Sequence, residues 1–127
     1  EMNVERLRLW NNYQKAFCGN EEFITPTIPE ECAHNAHMFY LILKNEEHRD
    51  FFITDLKSKG IVSASHYVPL HSSPAGKVFG EFVGEDKYTT GLSSRIVRLP
   101  LFYGMTDEQQ ERVISAVSQF GKKYQAA

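Results

Sequence analysis

Most of the features that announce a chemistry are missing from this chain. Its two cysteines, Cys18 and Cys32, form neither a CxxC motif nor a zinc-type pair. Two thiols in an otherwise ordinary composition point to a reducing, cytoplasmic compartment. No apolar run approaches the roughly 20 residues of a membrane helix, and the first residues do not read as a signal peptide, so no membrane partner is expected. A formal net charge of −2 gives no electrostatic case for nucleic acid. Walker and Rossmann glycine loops, HExxH and Gly-x-Ser-x-Gly are all absent. His66 and His71 stand five apart in a loop, which gives no regular metal-ligand geometry. The lysines at 15, 44, 57, 59, 77, 87, 122 and 123 all read as exposed, so none has the desolvated setting that lowers an amine pKa for Schiff-base work. On its residues alone the chain has no complete catalytic set.

What is present suffices for one domain. With 127 residues, 42% apolar and 24% charged, the chain is near the commonest domain size. A chain of this length buries somewhat over ~65% of its unfolded surface, enough for a core without staples. Val4, Leu7, Trp10, Tyr13, Ala16 and Phe17 recur at helical spacing, and Gly19-Asn20 ends that helix as a left-handed cap. Residues 21–35 read as a linker, because Pro26 and Pro29 push their predecessors out of the helical region. Residues 36–43 are nearly continuously apolar and aromatic, which favours a strand. His37 within them reads as a core or strand-end histidine. Residues 49–59 predict a short amphipathic helix closed by Gly60, and 61–64 a second strand.

Residues 78–91 read as a charged, glycine-spaced surface excursion, and Thr89 or Thr90 as the cap of a helix through Leu92 and Ile96. Residues 97–101 can form a third strand if Pro100 sits at an edge or end. Thr106-Asp107-Glu108-Gln109 fits a capping box, and Val113, Ile114, Val117 and Phe120 form one stripe of a last helix ending at Gly121. The predicted fold is a small two-layer α+β domain: about three strands in a mainly antiparallel sheet with flanking helices.

Between the second strand and the excursion lies Ser65-His-Tyr-Val-Pro-Leu-His-Ser-Ser-Pro-Ala-Gly76. Pro69 and Pro74 lack ladder donors and Gly76 permits a turn, so two imidazoles and a phenol sit on a stiffened loop just past a strand. Loops held by such scaffolds are where binding groups concentrate. The other reading makes His66 and His71 surface polar residues and Tyr67 a core anchor.

The sequence His66-Tyr67-Val68-Pro69-Leu70-His71, followed by Arg98-Leu99-Pro100-Leu101 with Met105-Thr106, resembles the small C-terminal domain of the DegT/DnrJ/EryC1/StrS sugar-nucleotide aminotransferases. The stretches 35–40, 79–82, 84–86 with 88–90, and 99–103 are similar to the same family, and residues 5–10 with Tyr13 to the helix joining its two domains. The likeness covers all but 18–32 and the residues after Thr106. It implies a fold-type I, pyridoxal-phosphate enzyme, with an interdomain linker helix over 1–20 and the small domain over 21–127. The family's catalytic lysine, its ring-nitrogen aspartate and most phosphate contacts belong to a large N-terminal domain that does not appear here. The chain is therefore expected to be a fragment, inactive and without bound cofactor by itself. Its partners would be that large domain, a nucleotide-sugar substrate and further copies in a homo-oligomer. The resemblance places His66, Tyr67 and His71 in the substrate cleft. It also implies an exposed apolar patch, at Trp10, Tyr13 or Phe17, where the large domain docks. A stand-alone module that binds small ligands or dimerises is the alternative.

Overall fold

Five aromatic and aliphatic side chains decide where the first helix lies. The helix α1 (Met2–Phe17) buries Leu9, Trp10, Tyr13 and Phe17. Phe39 receives three of these rings, with centroids 5.4 Å from Trp10, 5.2 Å from Tyr13 and 6.1 Å from Phe17. Phe39 opens β2 (Phe39–Leu43), whose alternation puts Phe39, Leu41 and Leu43 into the core. β2 is the centre of a three-stranded antiparallel sheet. One neighbour is β1 (Phe23–Ile24), with Phe23 opposite Leu43; the other is β3 (Ile96–Leu99), with Phe39 opposite Leu99 and Tyr40 opposite Arg98. The computed structural model describes the backbone of residues 1–124 and the side chains through Phe120.

Two further helices complete the layer. α2 (Glu46–Ser58) begins at Asn45, whose side chain accepts from the His48 amide at 2.8 Å. Gly60, at φ +71, and the Ile61 amide then close it back onto Lys57 and Leu56. α5 (Asp107–Tyr124) starts with the predicted box: Thr106 Oγ1 accepts from the Gln109 amide at 3.2 Å, and Gln109 Oε1 accepts from the Thr106 amide at 3.0 Å. The helix runs past Gly121, where its end was expected; Lys122 and Lys123 lie outside the described side chains. Buried Gln110 ties α5 to α1, donating to the Leu9 carbonyl at 2.7 Å and accepting from Asn12 at 2.9 Å. No helix among the described residues is long and apolar enough to cross a membrane.

The α+β class and the antiparallel sheet are as predicted, but one strand is not. Residues 61–64 contribute only a single bridge, Ala64 to Arg98, while the third strand comes from Phe23–Ile24 inside the supposed linker. A two-residue strand is too short to show a period of two, whereas Phe23 is placed by burial against the rings of α1. The predicted apolar patch also moves. Trp10, Tyr13 and Phe17 are buried, because α1 spends its aromatic face on the sheet, and Val4 and Ala16 of the predicted stripe are exposed. Exposed apolar side chains are instead most concentrated between 67 and 88, at Tyr67, Val68, Leu70, Val78, Phe79, Phe82, Val83 and Tyr88, with others scattered elsewhere on the surface. Lys59 is half-buried and not exposed, held to Asp55 at 2.6 Å. One unpredicted helix, α3 (Pro74–Phe79), runs from the end of the histidine loop into the excursion, and α4 (Thr89–Ser93) has Tyr88 at its N-cap, not Thr89 or Thr90, and stops before Ile96 joins β3.

Two outcomes follow from this packing. Phe39→Ala removes the ring shared by three others and should cost about 3–5 kcal/mol, read as a lowered denaturant midpoint with unchanged slope. His48 is fully buried beside Phe120. Burial holds it below the usual histidine range, with Glu22 opposing and Lys44 reinforcing that shift. Its neutral form is the folded one, so its contribution is complete above the ordinary value of 6.5 and is lost as pH falls from there through the lowered folded value. Melting temperatures across that window should decline with acid in the parent chain and decline less in His48→Leu.

Candidate functional site

The histidine loop leaves the sheet at its β3 edge. Ala64 exchanges both backbone bonds with Arg98, and Arg98, alternating with buried Val97 and Leu99, projects to the face away from the core. Its Nη1 lies 3.4 Å from His66 Nδ1, and the His66 ring sits 4.7 Å from that of Tyr67, across a cis peptide bond. Pro69 then starts a 3₁₀ turn (Leu70–Ser72), with the Ser72 and Ser73 amides donating to its carbonyl. Ser73 caps α3: its Oγ accepts from the Gly76 amide at 2.9 Å and donates to the Leu70 carbonyl at 2.8 Å. A Cβ on Gly76 would stand 1.5 Å from that carbonyl oxygen, so the turn and α3 close on each other only with glycine here.

His71, at the middle of the turn, reaches across to α4. Its Nε2 is 3.1 Å from Asp86 Oδ2 and 3.1 Å from Thr90 Oγ1, and its ring packs 4.6 Å from Phe82. The Thr90 hydroxyl donates to the same Asp86 oxygen, and the Thr90 amide donates to both carboxylate oxygens. The Thr90 hydroxyl above all, then its amide and His71, holds Asp86 below the usual carboxylate range. His71 lines an open groove of about 420 Å³ with Leu70, Gly76, Glu81, Phe82 and Thr89. Tyr67 and Pro69 line a second, of about 370 Å³, with Arg49, Ser65 and Thr90. The Arg49 guanidinium is mostly buried and spans Glu46, Asp50 and the Ser65 hydroxyl, so it anchors the loop's first residue to α2. The two grooves meet at Thr89 and Thr90.

Of the three residues singled out, Tyr67 and His71 therefore open onto adjoining grooves, while His66 is engaged by Arg98 and lines neither. Tyr67 is 74% exposed, so the core-anchor reading of it fails. Asp86, Phe82 and Arg49 went unassigned in the sequence, and Thr90 was read only as a candidate helix cap. Residues 84–86 and 88–90 stood among the family-like stretches without a role, and nothing in their spacing showed that they fold back onto His71. Among the described residues no three metal-ligating side chains gather. The described lysines do not suit a pyridoxal cofactor either: Lys59 is committed to Asp55, and the others are exposed.

Residues 1–118 match the model of the DegT/DnrJ/EryC1/StrS aminotransferase family. The protein MJ1066 of Methanocaldococcus jannaschii is 31% identical over 91% of this chain and 31% of its own length. The dTDP-3-amino-3,6-dideoxy-alpha-D-galactopyranose transaminase of Aneurinibacillus thermoaerophilus is 29% identical over 76% of this chain and 25% of its own. Among solved structures, S. venezuelae DesV, in complex with a ketimine intermediate, superposes with a TM-score of 0.84 at 26% identity, over 94% of this chain and 32% of its own. The chain thus spans between a quarter and a third of the curated relatives it matches. With the match reaching from the first residue of α1 into α5, the chain belongs to the DegT/DnrJ/EryC1/StrS aminotransferase family.

Proposed function

We propose that this chain is the small domain, residues 21–127 with residues 1–20 as linker helix, of a cytoplasmic, pyridoxal-phosphate-dependent sugar-nucleotide transaminase. Its role there is to form one wall of the substrate cleft with the 65–90 segment. The observation that carries this reading is the pair of grooves on either side of Pro69, one presenting the Tyr67 phenol and the other the His71 imidazole. A phenol and an imidazole hydrogen-bond to the hydroxyls of a sugar nucleotide, and a proline-fixed loop presents them with little entropy left to lose. His66 belongs to the same wall and acts through its contacts with Tyr67 and Arg98.

The reaction we propose is transfer of an amino group from glutamate to dTDP-4-keto-6-deoxy-D-glucose, giving dTDP-4-amino-4,6-dideoxy-D-galactose. This is the step of the dTDP-4-amino-4,6-dideoxygalactose transaminase of enterobacterial common antigen synthesis, which the stretches 35–40, 79–82, 84–86 with 88–90, and 99–103 resemble. A dTDP-sugar transaminase among the relatives supports that substrate class. Pyridoxal phosphate would supply the electron sink for the transfer. Its lysine and its cradle belong to the large domain, and the residues of this chain bind and orient substrate. The exposed apolar side chains from Tyr67 to Tyr88 support a docked large domain or a second copy in a homo-oligomer over this face. Two unpaired, exposed thiols suit the cytoplasm.

Two measurements bear on this reading. Incubated with one equivalent of pyridoxal phosphate and then borohydride, the 127-residue chain should show no single stoichiometric lysine adduct by intact mass and peptide mapping; one such adduct at one lysine would place cofactor chemistry here instead. In a protein carrying both domains, Tyr67→Phe and His71→Ala should each lower kcat/KM roughly two- to tenfold, the equivalent of a neutral hydrogen bond worth about 0.5–1.5 kcal/mol. The cofactor spectrum and melting temperature should hold. Unchanged catalysis per folded molecule would make the loop structural only.

A further inference from the structure

The hydrogen bonds around His71 leave its ring a single protonation pattern. Asp86 is acceptor-only when ionised, and the contacts that hold its carboxyl below the usual range keep it ionised. Thr90 has one hydroxyl proton, and its bond to Asp86 Oδ2 consumes it, because the carboxylate has none to give. The Thr90 oxygen can then only accept. His71 Nε2 thus meets two acceptors and no donor, at 3.1 Å each. A bare Nε2 would set three lone pairs against one another, so the nitrogen must carry the proton.

That assignment fixes the other nitrogen. In the neutral ring Nδ1 is then an acceptor, and no described residue hydrogen-bonds it. The remaining ionisable side chain that lines the groove, Glu81, is also an anion. Both features disfavour a phosphate and favour a neutral donor such as a sugar hydroxyl.

We propose that Asp86, acting with Thr90, is a positioning residue that locks the neutral His71 ring as the Nε2–H tautomer, so that this form of the ring presents Nδ1 as an acceptor to a hydroxyl-type donor and not to the diphosphate. The choice of sugar hydroxyl over diphosphate rests on the substrate reading above; the tautomer does not. Asp86 touches no substrate in this scheme. It sets the polarity of the group that does.

The test is long-range proton–nitrogen correlation of the ¹⁵N-labelled 127-residue chain at about pH 8, where an ordinary imidazole is neutral. His71 is expected to show a protonated-type Nε2 and an unprotonated-type Nδ1. In Asp86→Ala that exclusive pattern should give way to a mixture of both tautomers, while amide shifts of the core strands stay in place. A wild-type His71 protonated on Nδ1, or an unchanged tautomer in Asp86→Ala, overturns the proposal. Inorganic diphosphate added to the wild-type chain at the same pH should leave the His71 nitrogens unmoved, and a saturable shift of Nδ1 overturns the groove's assigned polarity. All these readings are made without sugar nucleotide. A two-domain protein that fails to bind a dTDP-sugar would therefore overturn the proposed function and leave the tautomer standing.

Discussion

The Tyr13 hydroxyl, buried with the rest of its ring, donates to the Pro100 carbonyl at 2.8 Å, and much of the architecture depends on that bond. It joins the first helix to the residue that ends β3, 87 positions later. Burial pushes the phenol up, away from ionisation, so the group keeps the proton it donates at neutral pH. Breaking the bond without water to replace it would strand a buried hydroxyl and a carbonyl together. Proline makes the carbonyl available: Pro100 has no amide to continue the ladder, β3 stops, and the tyrosine takes the oxygen. Around this point the rings of Trp10, Phe17 and Phe39 supply the bulk of the contact, and the hydrogen bond fixes which way α1 lies across it.

Helices and core were legible in the sequence wherever a local rule was strong. The capping box at Thr106 and the glycine after α2 each act over a few residues and are found as read, and the apolar run at 36–43 yields a strand over its last five residues. What escaped was set by contacts distant in the chain. Phe23–Ile24 forms a strand because Leu43 is there to pair with it, and nothing within 21–35 announces that partner. The α1 stripe was read correctly as apolar and wrongly as a docking face, because amphipathicity reports that a face is buried without naming what buries it.

The site shows the same division. Two prolines and a glycine made the histidine loop visible as a rigid element. The identity of His71's neighbours depends on an excursion of some fifteen residues folding back to bring Asp86 and Thr90 to it. Tyr67 is the instructive case. In sequence it is an aromatic beside a short apolar run, the commonest setting of a core residue. In the fold it is stood outward by the loop between Arg98 and Pro69, onto a groove. Tyrosine is apolar enough to mislead burial arguments and polar enough to work at a surface.

No residue from 62 to 96 is fully buried, although this segment holds most of the lining of both grooves, Glu46 and Arg49 of α2 apart. It leaves and rejoins the scaffold on one edge strand, at the Ala64–Arg98 bridge and at Arg95, whose carbonyl accepts from Leu43 at 3.0 Å. Closing such a loop depends only weakly on its length, each doubling adding roughly 0.6 kcal/mol. Under the proposed function, recognition would thereby be uncoupled from folding, and insertions, deletions or grafts in the segment would remake what the wall recognises while the aromatic core beneath keeps its sequence.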